Sequence, residues 1–146
     1  MTIAITMSTD LDIINTPLNP AWNPIAHRYT WAQVSAMNLA IPHGATIVVI
    51  AHGHDTEIGN DQAGTGVDVN ATTFLALIQS NMAPGATPGN VYISACTSGI
   101  AGFAAAVAIA ARQNQAWAHV GVYGPTAPVI GPVPPANNTT WARMYV

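Results

Sequence analysis

The sequence predicts an α/β fold, a three-layer αβα sandwich with a mostly parallel central sheet. Short apolar runs rich in β-branched residues alternate along the chain with segments of helical length. The two clearest runs, residues 46–51 and 91–95, stop abruptly at small polar residues, which is typical of fully buried parallel strands. Alternation of strand and helix indicates parallel pairing, because a crossover must return the chain to the same end of the sheet.

The first half of the chain is predicted to contain two strands, a loop and a helix. Residues 2–7 alternate and are β-branched, which indicates a strand, and residues 8–24 are rich in Pro, Asn and Asp, which indicates a loop. Pro24 suits the first turn of a helix, whose apolar positions continue through about Asn38. The strand at 46–51 follows.

In the second half, the predicted strand at residues 91–95 is flanked by helices. Residues 53–70 combine glycines with acids and predict a long polar loop with room for a small hairpin. Helices are expected at 72–81 and 100–113, and a further strand at 119–124. The Pro-rich tail, about 125–146, should run extended over the surface and end in an edge strand.

Composition restricts the partners of this chain. Among 146 residues there are three arginines and no lysine, and the formal net charge is −3. Binding to nucleic acid or to an anionic membrane surface requires a cluster of cations, which three scattered arginines do not supply. We therefore expect neither partner. The longest uncharged apolar segment, residues 100–111, is also too short to span a bilayer.

Length and cysteine content set further limits. A chain of this length suits one domain, so residues 1–146 are predicted to fold as a single unit. One cysteine cannot form an intramolecular disulfide. No basic region precedes an apolar core at the N-terminus, so we expect a cytoplasmic protein or one exported without a conventional signal peptide. The oligomeric state stays open.

Two chemically reactive residues stand at the ends of the two clearest strands. His52 follows one strand and precedes Gly53, while Cys96, the only cysteine, ends the other. The carboxyl ends of strands in open α/β sheets carry ligands and chemistry, so adjacent strands would bring thiol and imidazole together. A helix beginning after residues 97–99 would favour the thiolate through its N-terminal dipole. The pattern predicts a nucleophile with its base.

These two segments resemble the motifs of a known family. The string Ser94-Ala95-Cys96-Thr97-Ser98-Gly99 is similar to the cysteine motif of metacaspases and CHAT-type peptidases, and Ala51-His52-Gly53-His54 is similar to their histidine motif. The histidine precedes the cysteine by 44 residues, and the likeness spans about residues 45–125. The chain thus resembles the caspase-like cysteine peptidases, which also include caspases, gingipain and clostripain relatives and self-processing toxin peptidase domains.

The resemblance implies a caspase-like fold and a hydrolytic mechanism. It makes Cys96 the nucleophile and His52 the general acid and base, with the backbone N–H groups of Gly53 and Cys96 as the oxyanion hole. The implied substrate is a peptide or protein, and neither a cofactor nor a metal is expected. Metacaspases carry an acid two residues before the cysteine; this chain has a serine there, so P1 specificity stays open. The residues expected to bind substrate are His54, Asp55, Ser94 and Thr97.

Two other functions stay open on the sequence. Glutamine deamidases and related thiol acyltransferases also place a cysteine at a strand–helix junction, but with a histidine that follows it, for which His119 is the candidate. A non-catalytic binding module of the same fold is the second alternative. Metal binding by His52, His54 and Asp55 is disfavoured, because their spacing fits no common zinc pattern.

Overall fold

The computed structural model describes residues 1–54, 56–62, 64–96, 102–129 and 131–146, and of Cys96 it describes the backbone alone. These residues form an α/β fold around one mixed, mostly parallel sheet. Its strands are β1 (Thr2–Thr6), β2 (Ile25–Tyr29), β3 (Thr46–Gly53), β4 (Glu57–Gly59), β5 (Val69–Asn70), β6 (Asn90–Cys96), β7 (Gly121–Pro125) and β8 (Trp141–Met144). The helices are α1 (Leu11–Ile14), a 3-10 helix (Pro20–Trp22), α2 (Trp31–Ser35), α3 (Ala71–Ser80) and α4 (Gly102–Gln113).

The main strands of the sheet lie in the order β2-β1-β3-β6-β7-β8. Neighbours from β2 to β7 pair in parallel, and β8 pairs antiparallel with β7. The small hairpin of β4 and β5 adds to the end of β3, beyond the last residue of β3 that pairs with β1. The mostly parallel sheet predicted from the alternation of segments is therefore confirmed.

Most predicted elements agree with the structure to within a few residues. The strands expected at 2–7, 46–51 and 91–95 are β1, β3 and β6, and the helix expected at 72–81 is α3. The edge strand at the end of the Pro-rich tail is β8. Within the described parts of the chain, none of the helices combines the length and apolarity needed to cross a membrane.

The segment after Pro24 differs from the prediction. Instead of one helix through Asn38, this segment forms strand β2, a single intervening residue and the short helix α2. Thr30 begins the helix: its side chain accepts a hydrogen bond from the Gln33 N–H, and the Gln33 side chain accepts one from the Thr30 N–H. This capping box favours a helix start at Thr30, while parallel pairing with β1 satisfies the backbone of β2.

The two faces of the sheet are covered differently. The helical face is covered by α2, α3 and α4, and strand residues such as Ile47, Val49 and Ala51 are buried beneath them. The opposite face, here named the aromatic face, is covered by α1, the 3-10 helix and the Pro-rich tail. This arrangement is compatible with an αβα sandwich in which one outer layer is short. The buried residues of the aromatic face are Ile13, Trp22, Val48, Ile50, Tyr92, Val133 and Trp141.

The Pro-rich tail contributes to the core of the aromatic face. Val133 is fully buried and forms a parallel bridge with Leu18 in the loop after β1. The indole N–H of Trp22 donates to the carbonyl oxygen of Pro134 at 2.9 Å, and that of Trp141 donates to the carbonyl oxygen of Pro135 at 3.0 Å. The tail therefore covers the sheet without adding a central strand, because prolines supply carbonyl acceptors but no N–H donors.

Candidate functional site

The order of the strands identifies one edge of the sheet as the expected ligand site. Strands β1 and β3 are adjacent; β2 lies next to β1 on the outer side of this pair, and the later parallel strands β6 and β7 follow on the side of β3. At such a topological switch point the loops after the two strands diverge and leave a crevice outside their carboxyl ends. A groove of about 670 Å³ lies at this place, and it is lined by Asp10, Leu11, Asp12, His52, Asp61 and Gln62.

His52 lies in this groove because it occupies the carboxyl end of β3. Its backbone is in register with Gly59 of β4 on one side and with Cys96 of β6 on the other. Adjacent strands are about 4.8 Å apart in the hydrogen-bonding direction, so the backbones of His52 and Cys96 are neighbours, as the sequence predicts. The thiol of Cys96 and residues 97–101 lie outside the described part of the chain.

Two carboxylates contact the imidazole of His52, and both come from the segment after β1, where Asp10 precedes α1 and Asp12 lies within it. The Nε2 atom of His52 lies 3.0 Å from Oδ2 and 3.1 Å from Oδ1 of Asp12, and 3.4 Å from Oδ2 of Asp10. The hydrogen bond with His52 lowers the pKa of Asp12 below its usual value, so this carboxylate is ionised at neutral pH. Each of these contacts uses Nε2, and among the described residues none is found at Nδ1, the atom that would face a nucleophile or a substrate proton.

Asn60 joins the loop after β1 to the loop after β4. Its amide is buried, and Oδ1 accepts hydrogen bonds from Ser8 Oγ at 2.7 Å and from the Thr9 N–H at 2.8 Å. Its Nδ2 donates to Thr9 Oγ1 at 2.8 Å, and the N–H of the next residue donates to Asp10 Oδ2 at 2.7 Å. A buried amide bonded in this way holds both loops at a set distance, so Asn60 positions Asp10 beside His52.

Arg28 anchors the other end of the loop after β1. From strand β2 its guanidinium donates to the main-chain carbonyl oxygens of Thr16 at 2.7 Å, Ile14 at 3.0 Å and Ile13 at 3.3 Å. These carbonyls lie at the C-terminal end of α1, where acceptors have no partner within the helix and where the dipole favours a cation. Arg28 therefore stabilises the helical turn that carries Asp12.

Two further residues of the predicted site belong to the turn that joins β3 and β4. Gly53 is the last residue of β3 and is in register with Ile58 of β4. The N–H of His54 donates to the carbonyl oxygen of Glu57 at 2.8 Å, and its Nε2 contacts the carbonyl oxygen of Asn60 at 2.9 Å. These contacts tie the His54 ring to the loop that also holds Asp10, and its expected role in substrate binding stays a prediction.

The other expected substrate-binding residues divide into described and undescribed positions. Ser94 is buried within β6, in register with Ile50 of β3. The residue is 4% exposed, so direct contact with substrate would require access from the strand end. Asp55 and Thr97 lie outside the described residues.

His119, the candidate partner in the deamidase alternative, lies at the opposite end of the sheet. It is exposed in the turn before β7 and lines a separate groove with His43. Asn90, the first residue of β6, is in register with Gly121 at the start of β7. Cys96 is the last residue of β6, which at about 3.3 Å per residue puts its backbone roughly 20 Å further along the sheet.

The acids of the site, Asp10 and Asp12, were not expected from the sequence. Residues 8–24 are recognisable only as a loop, and the acids of residues 55–68 are the more conspicuous group. One signal was present: two acids follow directly after the first strand, at the sheet edge where His52 and Cys96 were already expected. Their contact with His52 depends on β1 lying beside β3, which no local pattern predicts.

The two carboxylates and the imidazole also form a donor set suited to a cation. The Nε2 atom of His52 and one carboxylate oxygen each of Asp10 and Asp12 lie within 4.8 Å of one another. One imidazole and two carboxylates, with a fourth position left for water, are ligands that zinc accepts in catalytic sites. A metal bound here would occupy the same Nε2 atom that otherwise pairs with Asp12.

Without a metal, the arrangement is suited to proton transfer. An imidazole held on one side by an ionised carboxylate and adjacent in the sheet to a cysteine can take a proton from a nucleophile and return it to a leaving group.

Comparison of the chain with protein-family models, with curated proteins and with solved structures finds no match in any of the three.

Proposed function

We propose that the protein is a cysteine peptidase in which Cys96 is the nucleophile, His52 the general acid and base, and Asp12 the residue that orients His52. One observation carries the proposal: His52 is in register with Cys96 on one side, and its Nε2 pairs with Asp12 on the other. Cys96 and His52 occupy the carboxyl ends of the adjacent strands β6 and β3, and Asp12 lies in α1, in the segment that follows β1. The order carboxylate, imidazole, thiol is what activation of a nucleophile requires.

The proposed reaction proceeds by acyl transfer. His52 takes the proton of the Cys96 thiol, and the thiolate attacks the scissile carbonyl carbon, with the oxyanion accepted by the N–H groups of Gly53 and Cys96. The imidazolium then protonates the leaving amine, and the C–N bond breaks to leave a thioester. Water, deprotonated by His52, attacks the thioester and releases the acid product and the thiol. The ionised Asp12 stabilises the imidazolium in both halves.

A caspase-like fold is part of the same proposal. The mostly parallel sheet with helices on its faces is compatible with this fold. The His-Gly and Ser-Ala-Cys motifs occupy the carboxyl ends of adjacent parallel strands, the arrangement that the resemblance requires. The acidic groove supports a basic or polar residue near the scissile bond of the substrate.

The position of His119 argues against the glutamine deamidase alternative. A base must come within hydrogen-bond reach of its nucleophile, directly or through one water, and His119 is roughly 20 Å from the Cys96 backbone along the sheet. His52 is the histidine whose backbone neighbours Cys96. A non-catalytic binding module stays the alternative if no turnover is found.

The proposal is tested with a pool of fluorogenic peptides and an acyloxymethyl-ketone probe. We expect the wild-type protein to release the fluorophore and to be labelled at Cys96. Cys96→Ala should abolish both, and His52→Ala should lower turnover by at least about 10²-fold, the usual share of general acid–base catalysis. His119→Ala is the matched control, because it removes an exposed histidine at the opposite end of the sheet.

Three outcomes would contradict the proposal. Normal turnover by Cys96→Ala would show that Cys96 is not the nucleophile. Release of ammonia by the wild-type protein, with loss of that activity in His119→Ala, would favour the deamidase. Activity that resists Cys96→Ala but is lost with EDTA and restored by Zn²⁺ would assign the reaction to a metal held by Asp10, Asp12 and His52.

A further inference from the structure

A second cavity lies on the far side of the loop that carries Asp10 and Asp12. It has a volume of about 350 Å³ and lies beside the carboxyl ends of β1 and β2. We name it the β1–β2 pocket. This volume is near the lower end of the ~300–1,000 Å³ typical of small-molecule sites, so it suits one side chain or small ligand and not a folded partner. Its walls include Ser8, Thr9, Ile14, Tyr29, Trp31 and Ala32.

The polar side chains of the β1–β2 pocket are already bonded to the protein. Ser8 donates to Asn60 and Thr9 accepts from it, at 2.7 and 2.8 Å. The N–H groups of Arg28 are directed to carbonyl oxygens at the end of α1, and the Thr30 hydroxyl accepts the hydrogen bond of the capping box. Few polar groups are therefore left to select a hydrogen-bonding ligand.

Apolar surface is what the β1–β2 pocket presents to a ligand. Ile14 is 42% exposed although it is a large aliphatic side chain, and Tyr29 and Trp31 are half-buried. Ala32 is exposed on the first turn of α2 and contributes only a methyl group. Removing such a concave apolar surface from water is favourable, so the pocket fits an aliphatic or aromatic group.

One short loop separates the β1–β2 pocket from the proposed catalytic groove. Ser8 and Thr9 line the pocket, and Asp10 and Asp12, which follow in the chain, line the groove with His52. An extended peptide advances about 3.3 Å per residue, and its side chains alternate between its two faces. A peptide bound across His52 can therefore direct one of its side chains over the loop and into the pocket.

We propose that the β1–β2 pocket binds a large apolar side chain, of the leucine or phenylalanine class, from the peptide substrate. That the ligand is a peptide rests on the proposed function, whereas its apolar character follows from the pocket itself. The pocket makes substrate choice depend on two different surfaces, an acidic groove at His52 and an apolar cavity beyond Asp10.

The first test fills the pocket with Ala32→Trp and compares two peptide series. One series carries leucine or phenylalanine at successive positions around the scissile bond, and the other carries alanine there. We expect Ala32→Trp to lower kcat/KM for the best apolar peptide by about tenfold or more, and to change kcat/KM for the alanine peptides less than about twofold. Ala36→Trp, an exposed alanine of the same segment outside the pocket, is the control.

Ile14→Ala is the second variant, used if Ala32→Trp does not reach the wild-type melting temperature. It removes one apolar wall and should reduce the preference for leucine or phenylalanine over alanine several-fold. An equal effect of Ala32→Trp on both peptide series, or a wild-type enzyme with no preference for large apolar residues at any position, would overturn the inference.

The second test measures binding without catalysis. The Cys96→Ala protein is titrated with N-acetyl-phenylalaninamide, with N-acetyl-serinamide as the control ligand, and the indole N–H signal of Trp31 is followed by NMR. We expect saturable shifts with the phenylalanine ligand alone, and their loss in the Ala32→Trp background. If Cys96→Ala binds the phenylalanine ligand but the wild-type protein cleaves no peptide, the pocket assignment holds and the proposed function fails. If the wild-type protein cleaves peptides but shows neither binding in the pocket nor a preference for apolar residues, the inference is overturned and the proposed function is not.

Discussion

The two faces of the sheet are built in different ways. On the helical face, α3 and α4 cover aliphatic strand residues, and their main aromatic contact is Phe74 against Phe103, with ring centroids 5.5 Å apart. On the aromatic face, Tyr92 lies at the centre of a cluster of rings, and burial among them raises its pKa. Trp22, early in the chain, and Trp141, late in the chain, belong to the same buried cluster as Tyr92.

The difference between the two covers determines where function can be built into the fold. The cover of the helical face consists of whole helices, each held by its own hydrogen bonds and by one apolar side. The cover of the aromatic face is made of loops that hold each other, including the turn α1 with Ile13 in the core and Asp12 in the groove. Loops set on a rigid sheet are where catalytic side chains are usually presented.

The largest effect is expected from removing one large ring on each face. Phe74→Ala and Trp22→Ala should each lower the free energy of unfolding by about 3–5 kcal/mol, because both side chains are buried and leave a cavity. Only Trp22→Ala should also lower turnover of the folded protein, since Trp22 supports the loop between β1 and β2. Urea unfolding and peptidase assays well below the melting temperature measure both. Equal turnover in the two variants would contradict the division between faces.

A smaller effect is expected from two buried asparagines, one serving each face. Asn60→Leu leaves Ser8 and Thr9 without their partner and should cost about 1–3 kcal/mol of stability and about tenfold in turnover. Asn81→Leu is the matched control, because Asn81 is fully buried and donates to the carbonyl oxygens of Val34 and Leu77 on the helical face. It should lose similar stability and keep turnover. Equal loss of turnover in both would show that Asn60 is not a positioning residue.

The smallest change in the structure is Asp12→Asn. It keeps the shape of the side chain and removes the charge that stabilises the imidazolium, so kcat should fall by about 10- to 100-fold, part of the usual contribution of acid–base catalysis. The melting temperature should change little, because Asp12 is mostly exposed. Glu57→Gln, which removes an exposed charge of the neighbouring hairpin, should leave kcat unchanged. An active Asp12→Asn would show that His52 needs no orienting acid.

The same variant has a defined pH dependence of stability. The folded pKa of Asp12 is lowered, mainly by its hydrogen bond with His52, so its contribution to stability is fully present above its ordinary pKa of 3.8. It is lost as the pH falls through the lowered folded value. Urea unfolding between about pH 2 and 7 should therefore show a shallower acid slope for Asp12→Asn than for the wild type. An unchanged slope would contradict the pairing.

Some of these features could be predicted from residues close together in the sequence. The β-branched runs that became β3 and β6 stop at His52 and Cys96, and parallel pairing of two such strands puts their ends at one edge. Helix α3 was recognisable from its apolar spacing, because the periodicity of a helix is local. The wrong prediction for residues 25–38 has the same origin, because the apolar pattern continues across the Thr30–Gln33 capping box and conceals strand β2.

The sequence alone was enough to predict a mostly parallel α/β sheet and the adjacency of His52 and Cys96, because strand runs and their ends are written in neighbouring residues. The contacts of Asp10 and Asp12 with His52, the bonds by which Asn60 and Arg28 hold their loop, and the apolar pocket behind it arise only in the folded chain. These contacts join residues as many as 52 positions apart. They depend on β1 lying beside β3, and that order results from how the whole sheet packs and not from any local pattern.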